Sequence, residues 1–288
     1  MRFENLSNLL AHLESDVSLF APEQLRQRIE VLDELDAHFG DDVLIAPMPP
    51  STDATVFARA VSLRKRLAAA NAAIYSAIRK DIQQGNADGL RDWVDLCRQA
   101  SDASAPGLGY DHLDDLIAGV LQIPDPVEVI RPGHEQVFYQ PTPVRHVLAM
   151  IEQSGLSEDD VLVDFGSGLG QICIVASILS GARAIGVEIE HAYTESAREC
   201  VRKLRLSRIE FLQANAREAD LSEGTVFHVY TPFTGSILRT VLDRLRHEST
   251  KRPIKVCTLG PCTDTVAREP WLRTNTWPDS DRITVFCS

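Results

Sequence analysis

Val161-Leu162-Val163-Asp164-Phe165-Gly166-Ser167-Gly168-Leu169-Gly170-Gln171 is the stretch from which the fold is read. A short valine-rich run ends in an acidic residue, and three glycines follow at every second position. Residues 171–179 then continue as apolar positions at helical spacing. The pattern predicts a buried strand, a tight turn and the start of a helix, the opening unit of an open α/β sheet. Glycine in the turn permits positive φ and lets the backbone approach a ligand with no Cβ in the way. A ligand site is expected at the carboxyl end of the strand, beside the helix start.

Spacing narrows the ligand. The dinucleotide fingerprint G-x-G-x-x-G aims a helix N-terminus at a pyrophosphate. Here the glycines run Gly166-x-Gly168-x-Gly170, and Asp164 precedes the first by two positions. A carboxylate there would repel a pyrophosphate and suits a cationic ligand, which opposes a nicotinamide-dependent oxidoreductase. A turn with a purely structural role stays open until the rest of the chain is considered.

Downstream, strands and helices alternate. Strands are expected over 184–188, 209–213, 225–230 and 253–259, with helices over 192–204 and 236–245. Two further strand candidates, 271–277 and 282–287, are separated by Pro278-Asp279-Ser280-Asp281, which predicts a closing hairpin. Alternation of this kind implies a parallel sheet covered on both faces.

Upstream, residues 1–127 show helical spacing throughout. One helix starts at Ala21-Pro22, places Ile29, Leu32, Leu35 and Phe39 on one face, and stops at Gly40. A linker over 41–50 carries Pro47, Pro49 and Pro50. Ser51-Thr52-Asp53 offers caps for a long helix through Val56, Ala60, Leu63, Leu67 and Ala70, continuing to Gly85. Helices near 90–100 and over 112–121 follow, the second after the break Pro106-Gly107-Leu108-Gly109. Tyr75 and Trp93 are read as core residues. Ile123-Pro124-Asp125-Pro126 marks a change of character, so the chain divides into a helical domain, 1–127, and an α/β domain, 128–288.

Composition bounds the functions. An apolar content of 44% in 288 residues supports real cores. No apolar run approaches the ~18–20 residues that span a bilayer, and Met1-Arg2-Phe3-Glu4-Asn5-Leu6 has no signal pattern. A soluble cytoplasmic protein with no membrane partner is expected. The net charge is −12, and residues 1–127 hold 20 acidic against 11 basic side chains. With no basic stripe, a nucleic-acid partner is not expected. Six scattered cysteines without a C-x-x-C pair read as reduced core thiols, and no metal is expected. Cys262, just past the fifth strand, is the one thiol with a position that suits a site.

Asp164-x-Gly166-x-Gly168-x-Gly170 resembles motif I of class I S-adenosylmethionine (SAM) methyltransferases, where the acid and the glycine backbone hold the methionine part of the cofactor. A closer resemblance covers roughly residues 139–288. Tyr139-x-x-Thr142, the run from Val163 to Gln171, and Gly186-Val187-Glu188 are similar to the Dot-one family of non-SET histone lysine methyltransferases. It implies a Rossmann-like sheet, mostly parallel with a C-terminal antiparallel hairpin, and SAM as cofactor. The implied cofactor contacts are Tyr139, Thr142, Asp164, Gly166, Gly168, Gln171 and Glu188, with Ser167 and Gly170 in the same turn. Glu188, at the end of the second strand, stands where such sheets bind both ribose hydroxyls. Asn215 and Ala216 stand where the family has an adenine-side Asp-Phe, and the Asn215 carbonyl is expected to accept from the adenine amino group.

The acceptor side departs from the relatives. Tyr230-Thr231 replaces the family's paired asparagines, and Pro232-Phe233 matches only half of the Asp/Asn-Pro-Pro-Tyr/Phe motif of N-methyltransferases. His228, Tyr230, Thr231 and Phe233 are the candidate catalytic residues. His228 is the one near-neutral base among them, and strand alternation puts it on the same side as Tyr230. The expected activity is SAM-dependent methyl transfer to a protein lysine or a small metabolite, with the helical domain shaping the acceptor site. The alternative is a catalytically silent SAM-binding scaffold acting through that domain. Oligomeric state is not specified by the sequence. Asp164→Ala and Glu188→Ala are both expected to abolish SAM binding and leave the fold intact.

Overall fold

A computed structural model describes residues 3–39, 53–99, 109–127 and 139–288. Among them, six α-helices precede the first strand: α1 (Phe3–Ser15), α2 (Leu25–Phe39), α3 (Ala54–Gln83), α4 (Asp88–Gln99), α5 (His112–Leu121) and α6 (Val144–Ser154). The linker over 41–50 and most of the Pro106–Gly109 break lie outside the described residues.

Local chemistry sets these boundaries. Asp53 caps α3 by accepting from Thr55 N and Val56 N. Asp111 and Asp114 form a capping box at the start of α5. Pro22 starts a short 3-10 turn, Pro22–Gln24, ahead of α2. Arg28 fixes that junction: fully buried, its guanidinium donates to Leu19 O at 2.7 Å, Ala21 O at 2.5 Å and Asn71 Oδ1 at 2.6 Å. Those neutral acceptors satisfy a cation that would otherwise be costly to bury.

The glycine stretch becomes β1 (Val161–Phe165), a turn, and α7 (Gln171–Ser180). Then come β2 (Arg183–Glu188), α8 (His191–Leu204), β3 (Ile209–Gln213), β4 (Val226–Tyr230), α9 (Gly235–Ser249), β5 (Lys255–Leu259), α10 (Cys262–Val266) and β6 (Thr284–Cys287). The strand order is β3-β2-β1-β4-β5-β6. The first five pair in parallel, and β6 runs antiparallel to β5. This is the Rossmann-like sheet with a terminal antiparallel strand that the sequence implied. The outer arm of the hairpin, expected over 271–277, is reduced to one bridge between Arg273 and Cys287. Thr274 Oγ1 instead bonds Thr276 N and Thr276 Oγ1, a local side-chain turn that competes with the ladder.

Strand residues are buried on both faces, as a covered parallel sheet requires. On one face Val163, Phe165, Val187, Phe227 and Val229 join Leu238, Val241 and Leu242 of α9. On the other, Leu162, Ala184 and Val226 join Val147, Ile174 and Cys200 of α6, α7 and α8. That second cluster continues through Ile78, Ile82, Leu90, Val94 and Leu116, so it draws on residues from both sides of position 127. A separate apolar cluster holds α1, α2 and the first half of α3 together through Leu10, Leu35, Phe39, Leu63 and Leu67. Tyr75 and Trp93 pack, half-buried, against the sheet's cluster.

Strand order reverses at β1: the chain builds outward to β3, then crosses to β4 on the opposite side. The carboxyl ends of β1, β2 and β4 therefore open on a crevice, the usual place for a ligand in such sheets.

Candidate functional site

Gly166, Gly168 and Gly170 have φ of +69°, +51° and +79°. Gly166 N and Ser167 N both donate to Val187 O, at 2.8 and 3.2 Å, which closes the turn against β2. At all three glycines the absent side chain decides the packing, and at two of them it concerns the neighbouring loops. A Cβ on Gly168 would lie 2.2 Å from the Tyr139 ring, and one on Gly166 would lie 2.2 Å from Pro232 Cβ. The turn is thus the place where the loop before α6 and the loop after β4 come together.

Those three segments enclose a cavity of about 750 Å³, within the range of small-molecule sites. Tyr139, Thr142, Asp164, Gly166, Ser167, Gln171 and Glu188 line it. Asn215, Ala216, Tyr230, Thr231 and Phe233 line it as well. Gly168 and Gly170 lie behind its wall, under the rings of Tyr139 and Phe211 respectively.

His228 is brought elsewhere. It is fully buried and absent from the cavity wall. Its Nδ1 lies 2.8 Å from Asp164 Oδ1, and the two residues are in-register neighbours on β4 and β1. A carboxylate only accepts, so Nδ1 carries the proton. Nε2 is buried without a partner among the described residues. As a base for an acceptor in the cavity His228 is therefore misplaced; alternation put it on the Tyr230 side, but two residues further down the strand. Its visible role is to hold Asp164.

Glu188 is also buried, yet held differently. Gly168 N donates to Oε2 at 2.9 Å and Glu190 N to Oε1 at 2.8 Å. Burial raises its pKa, and those backbone donors oppose the rise. Ser167 Oγ, beside the same turn, is buried with no partner among the described residues. Gln171 Nε2 donates to Thr142 O at 2.9 Å, tying the loop before α6 to the start of α7.

Asn215 differs from expectation. Its Oδ1 already accepts from Arg217 N at 3.0 Å and from Arg217 Nε at 3.3 Å. The carbonyl is engaged in a local turn, and the amide nitrogen is the group left to face a ligand.

At the end of β4 the wall is neutral and partly aromatic. Burial pushes the Tyr230 hydroxyl up to about 12, so it stays protonated. That hydroxyl is buried without a partner among the described residues. Thr231 has φ +37°, a left-handed conformation uncommon for a β-branched residue. Its hydroxyl donates to Leu259 O at 3.1 Å and accepts from Cys262 N at 3.2 Å, which holds the strained turn. Phe233 packs edge-on against Phe165, 6.4 Å between centroids. Cys262 itself is a core thiol, its Sγ 3.3 Å from Val229 O.

Sequence reasoning missed Tyr193, Arg217, Ile237 and Gly260-Pro261, all on the wall. The Tyr193 ring lies tilted beside that of Tyr139, 5.3 Å between centroids, a contact between distant segments that no periodicity announces. A legible signal existed only for Gly260, a glycine at the end of a predicted strand. Among the described residues no group of three or more His, Cys, Asp or Glu is arranged to hold a metal ion. None of their helices is long and apolar enough to cross a membrane.

Comparison with known proteins bears on this site. Residues 131–231 match the family model described as histone methylation protein DOT1. The motifs Tyr139-x-x-Thr142, Asp164 to Gln171 and Gly186-Val187-Glu188 all fall inside that match. A protein-lysine N-methyltransferase of Saccharolobus islandicus (strain REY15A) is 34% identical over 96 residues, 33% of this chain and 60% of that protein. An uncharacterized protein of Methanocaldococcus jannaschii is 34% identical over 62 residues, 22% of this chain and 28% of that one. The alignments thus span 60% and 28% of the two curated relatives' lengths. Among solved structures, an RNA methyltransferase from Salinibacter ruber in complex with S-adenosyl-L-homocysteine aligns at 29% identity over 51% of this chain and 92% of that chain, with a TM-score of 0.40.

Proposed function

We propose that the cavity binds SAM and that the protein is a methyltransferase acting on a protein lysine or a small metabolite. One observation carries the reading: two buried carboxylates, Asp164 and Glu188, end adjacent strands and face one cavity around a three-glycine turn. A ligand with a cationic amine at one end and a ribose diol at the other suits that pair. The unpartnered Ser167 Oγ adds a hydrogen-bonding group beside them. The match over residues 131–231 and the relative named as a protein-lysine N-methyltransferase support the same chemistry and favour lysine as acceptor.

In this reading Asp164 holds the amine end, Glu188 the ribose, and the Asn215 amide with Ala216 the base. Tyr139, Thr142 and Gln171 form the wall that covers the ligand, with Gly166, Ser167, Gly168 and Gly170 as the turn beneath it. When bound, SAM supplies an electrophilic methyl on a sulfonium. The chain's task is then to align the acceptor and keep water out. Tyr230, Thr231 and Phe233 serve as that acceptor wall, with Tyr230 a neutral hydrogen-bonding group. Residues 1–127 act as a helical domain that shapes the acceptor side of the 128–288 domain.

The test is calorimetric titration with S-adenosylhomocysteine, followed by transfer from methyl-labelled SAM to a panel of lysine peptides, proteins and amines. Saturable binding with label recovered as methyl-lysine or methylated metabolite is expected. Tight binding with no transfer across the panel would favour a silent SAM-binding scaffold. Absence of binding would remove the SAM reading altogether.

A further inference from the structure

The loop Tyr139-Gln140-Pro141-Thr142-Pro143 forms one wall of the cavity and has no secondary structure of its own. Pro143, at the N-cap of α6, provides no side-chain cap. That cap comes from another part of the chain. Asp114 Oδ1 on α5 accepts from Val144 N at 2.8 Å, while its Oδ2 accepts from Asp111 N at 2.8 Å. A single carboxylate therefore caps α5 and, thirty positions along, α6 as well. Close by, Tyr110 Oη donates to Pro141 O at 2.9 Å, and Arg145 donates to Gly109 O. Gln171 holds Thr142 O from the opposite side. The loop is clamped between the start of α7 and the segment that leads into α5.

We propose that Asp114 and Tyr110 are positioning residues of the cavity, by which the N-terminal helices hold the Tyr139–Thr142 wall down on the glycine turn. The inference rests on the reading that this cavity takes SAM. Without Asp114 the loop is tied by Gln171 and the Tyr110 hydroxyl. The Tyr139 ring, lying against Gly168 and beside Tyr193, is then free to lift. Asp114 is the stronger of the two braces. Its bonds are charge-assisted and half-buried, whereas Tyr110 is 51% exposed and its bond is neutral. Neither residue touches the reacting atoms in this account; both act through the loop.

The experiment compares full-length Asp114→Ala, Tyr110→Phe and Asp111→Ala, with Asp114→Asn as the conservative rescue. Asp111→Ala breaks the same capping box at α5 without removing any bond to the loop. Affinity for S-adenosylhomocysteine is read by calorimetry, and the Thr142 and Val144 amides by hydrogen exchange. Losing the charge-assisted cap is expected to weaken binding about tenfold in Asp114→Ala, with faster exchange at Val144. Asp114→Asn, which keeps one acceptor oxygen, recovers part of both, and Tyr110→Phe shows a smaller loss. Asp111→Ala keeps the wild-type affinity and Val144 exchange. Equal losses in Asp114→Ala and Asp111→Ala would reduce Asp114 to a structural cap, and wild-type behaviour in Asp114→Ala would overturn the proposal. If the wild-type protein binds no S-adenosylhomocysteine, the SAM reading fails; exchange at Val144 then decides the brace by itself, unchanged rates in Asp114→Ala overturning it.

Discussion

At the floor of the cavity Asp164 accepts a hydrogen bond from His228 Nδ1 and Glu188 accepts from two backbone N–H groups. At the opposite wall the Tyr230 hydroxyl is buried without a partner among the described residues, and Thr231 stands at φ +37°. The two floor carboxylates have donors from neighbours one strand or one turn away, while Ser167 Oγ beside them is buried without a partner among the described residues. The wall keeps an unmade hydrogen bond and a strained backbone, both of which a ligand or acceptor can exploit. In the proposed reading, recognition of the cofactor is assigned to the first region and choice of acceptor to the second.

The largest expected effects would break the symmetry between the two floor carboxylates. Each of Asp164→Ala and Glu188→Ala should weaken SAM binding by at least about 100-fold, since each removes charged hydrogen bonds of about 1.5–3 kcal/mol apiece. They should differ in stability, contrary to the expectation that both leave the fold intact. Asp164→Ala strands the His228 imidazole in a dry interior at a cost of about 2–3 kcal/mol, while the donors to Glu188 border the cavity and can turn to water. Urea unfolding separates the cases: coincident midpoints would show that the His228 bond does not hold the strand ends together.

Gly168→Ala probes the seam between floor and wall. Left-handed φ costs an L-residue roughly 1–2 kcal/mol, and the new methyl would collide with the Tyr139 ring. We expect lower stability together with about tenfold weaker cofactor binding from the displaced wall. An unchanged calorimetric affinity would mean that Tyr139 does not cover the ligand.

Tyr230→Phe sharpens the division of labour. Removing one neutral hydrogen bond from the acceptor side predicts a fall in kcat of about tenfold, with S-adenosylhomocysteine affinity within about twofold of wild type. A matching loss of cofactor affinity would move Tyr230 to the cofactor side.

The smallest effect lies away from the cavity. Burial, with Asp33 and Asp114 nearby, raises the Asp115 carboxyl to about 6. A carboxyl that binds its proton more tightly when folded favours the native state below pH about 4. That contribution fades as pH rises through about 6. Asp115→Asn should therefore stabilise the protein at pH 7.5 and not at pH 4. The carboxyl is only partly desolvated and the residue keeps solvent access, so screening limits the gain to about 1 kcal/mol. Thermal melts at the two pH values check the sign.

The same contrast explains what could be read from sequence. Val161–Phe165, the three glycines and Glu188 are local: a valine-rich apolar run, turn chemistry and strand-end position place them before any partner is known. The helices follow in the same way from spaced apolar residues and from caps such as Asp53. Thr231 illustrates the opposite case. Its conformation depends on Leu259 and Cys262, from a strand and a helix start roughly thirty residues on. Tyr110 and Pro261, outside the helices, and Tyr193, in the first turn of α8, reach the site or its supports through segments meeting in space, which periodicity does not encode. His228 was placed on the correct side of its strand, but its partner became visible only with the β1–β4 register. Asn215 stood at the expected position, while the competing Arg217 bond that occupies its carbonyl did not follow from residue type.

α3 belongs to two apolar clusters: its first half packs with α1 and α2, its second with α4, α5 and the helices over the sheet. At 30 residues and 1.5 Å per residue it is about 45 Å long. It works as a mast planted at one end in the enzyme-like core. α1 belongs to the outer cluster alone, whereas α2 also enters the sheet-side core through Leu25 and Ile29, so trimming α1 would spare that core and trimming α2 would open it. Cutting at residue 127 would uproot the mast, baring the apolar backs of α6, α7 and α8 and removing Asp114 from the start of α6. The helical half is thus both ballast for the outer bundle and part of the hull around the site.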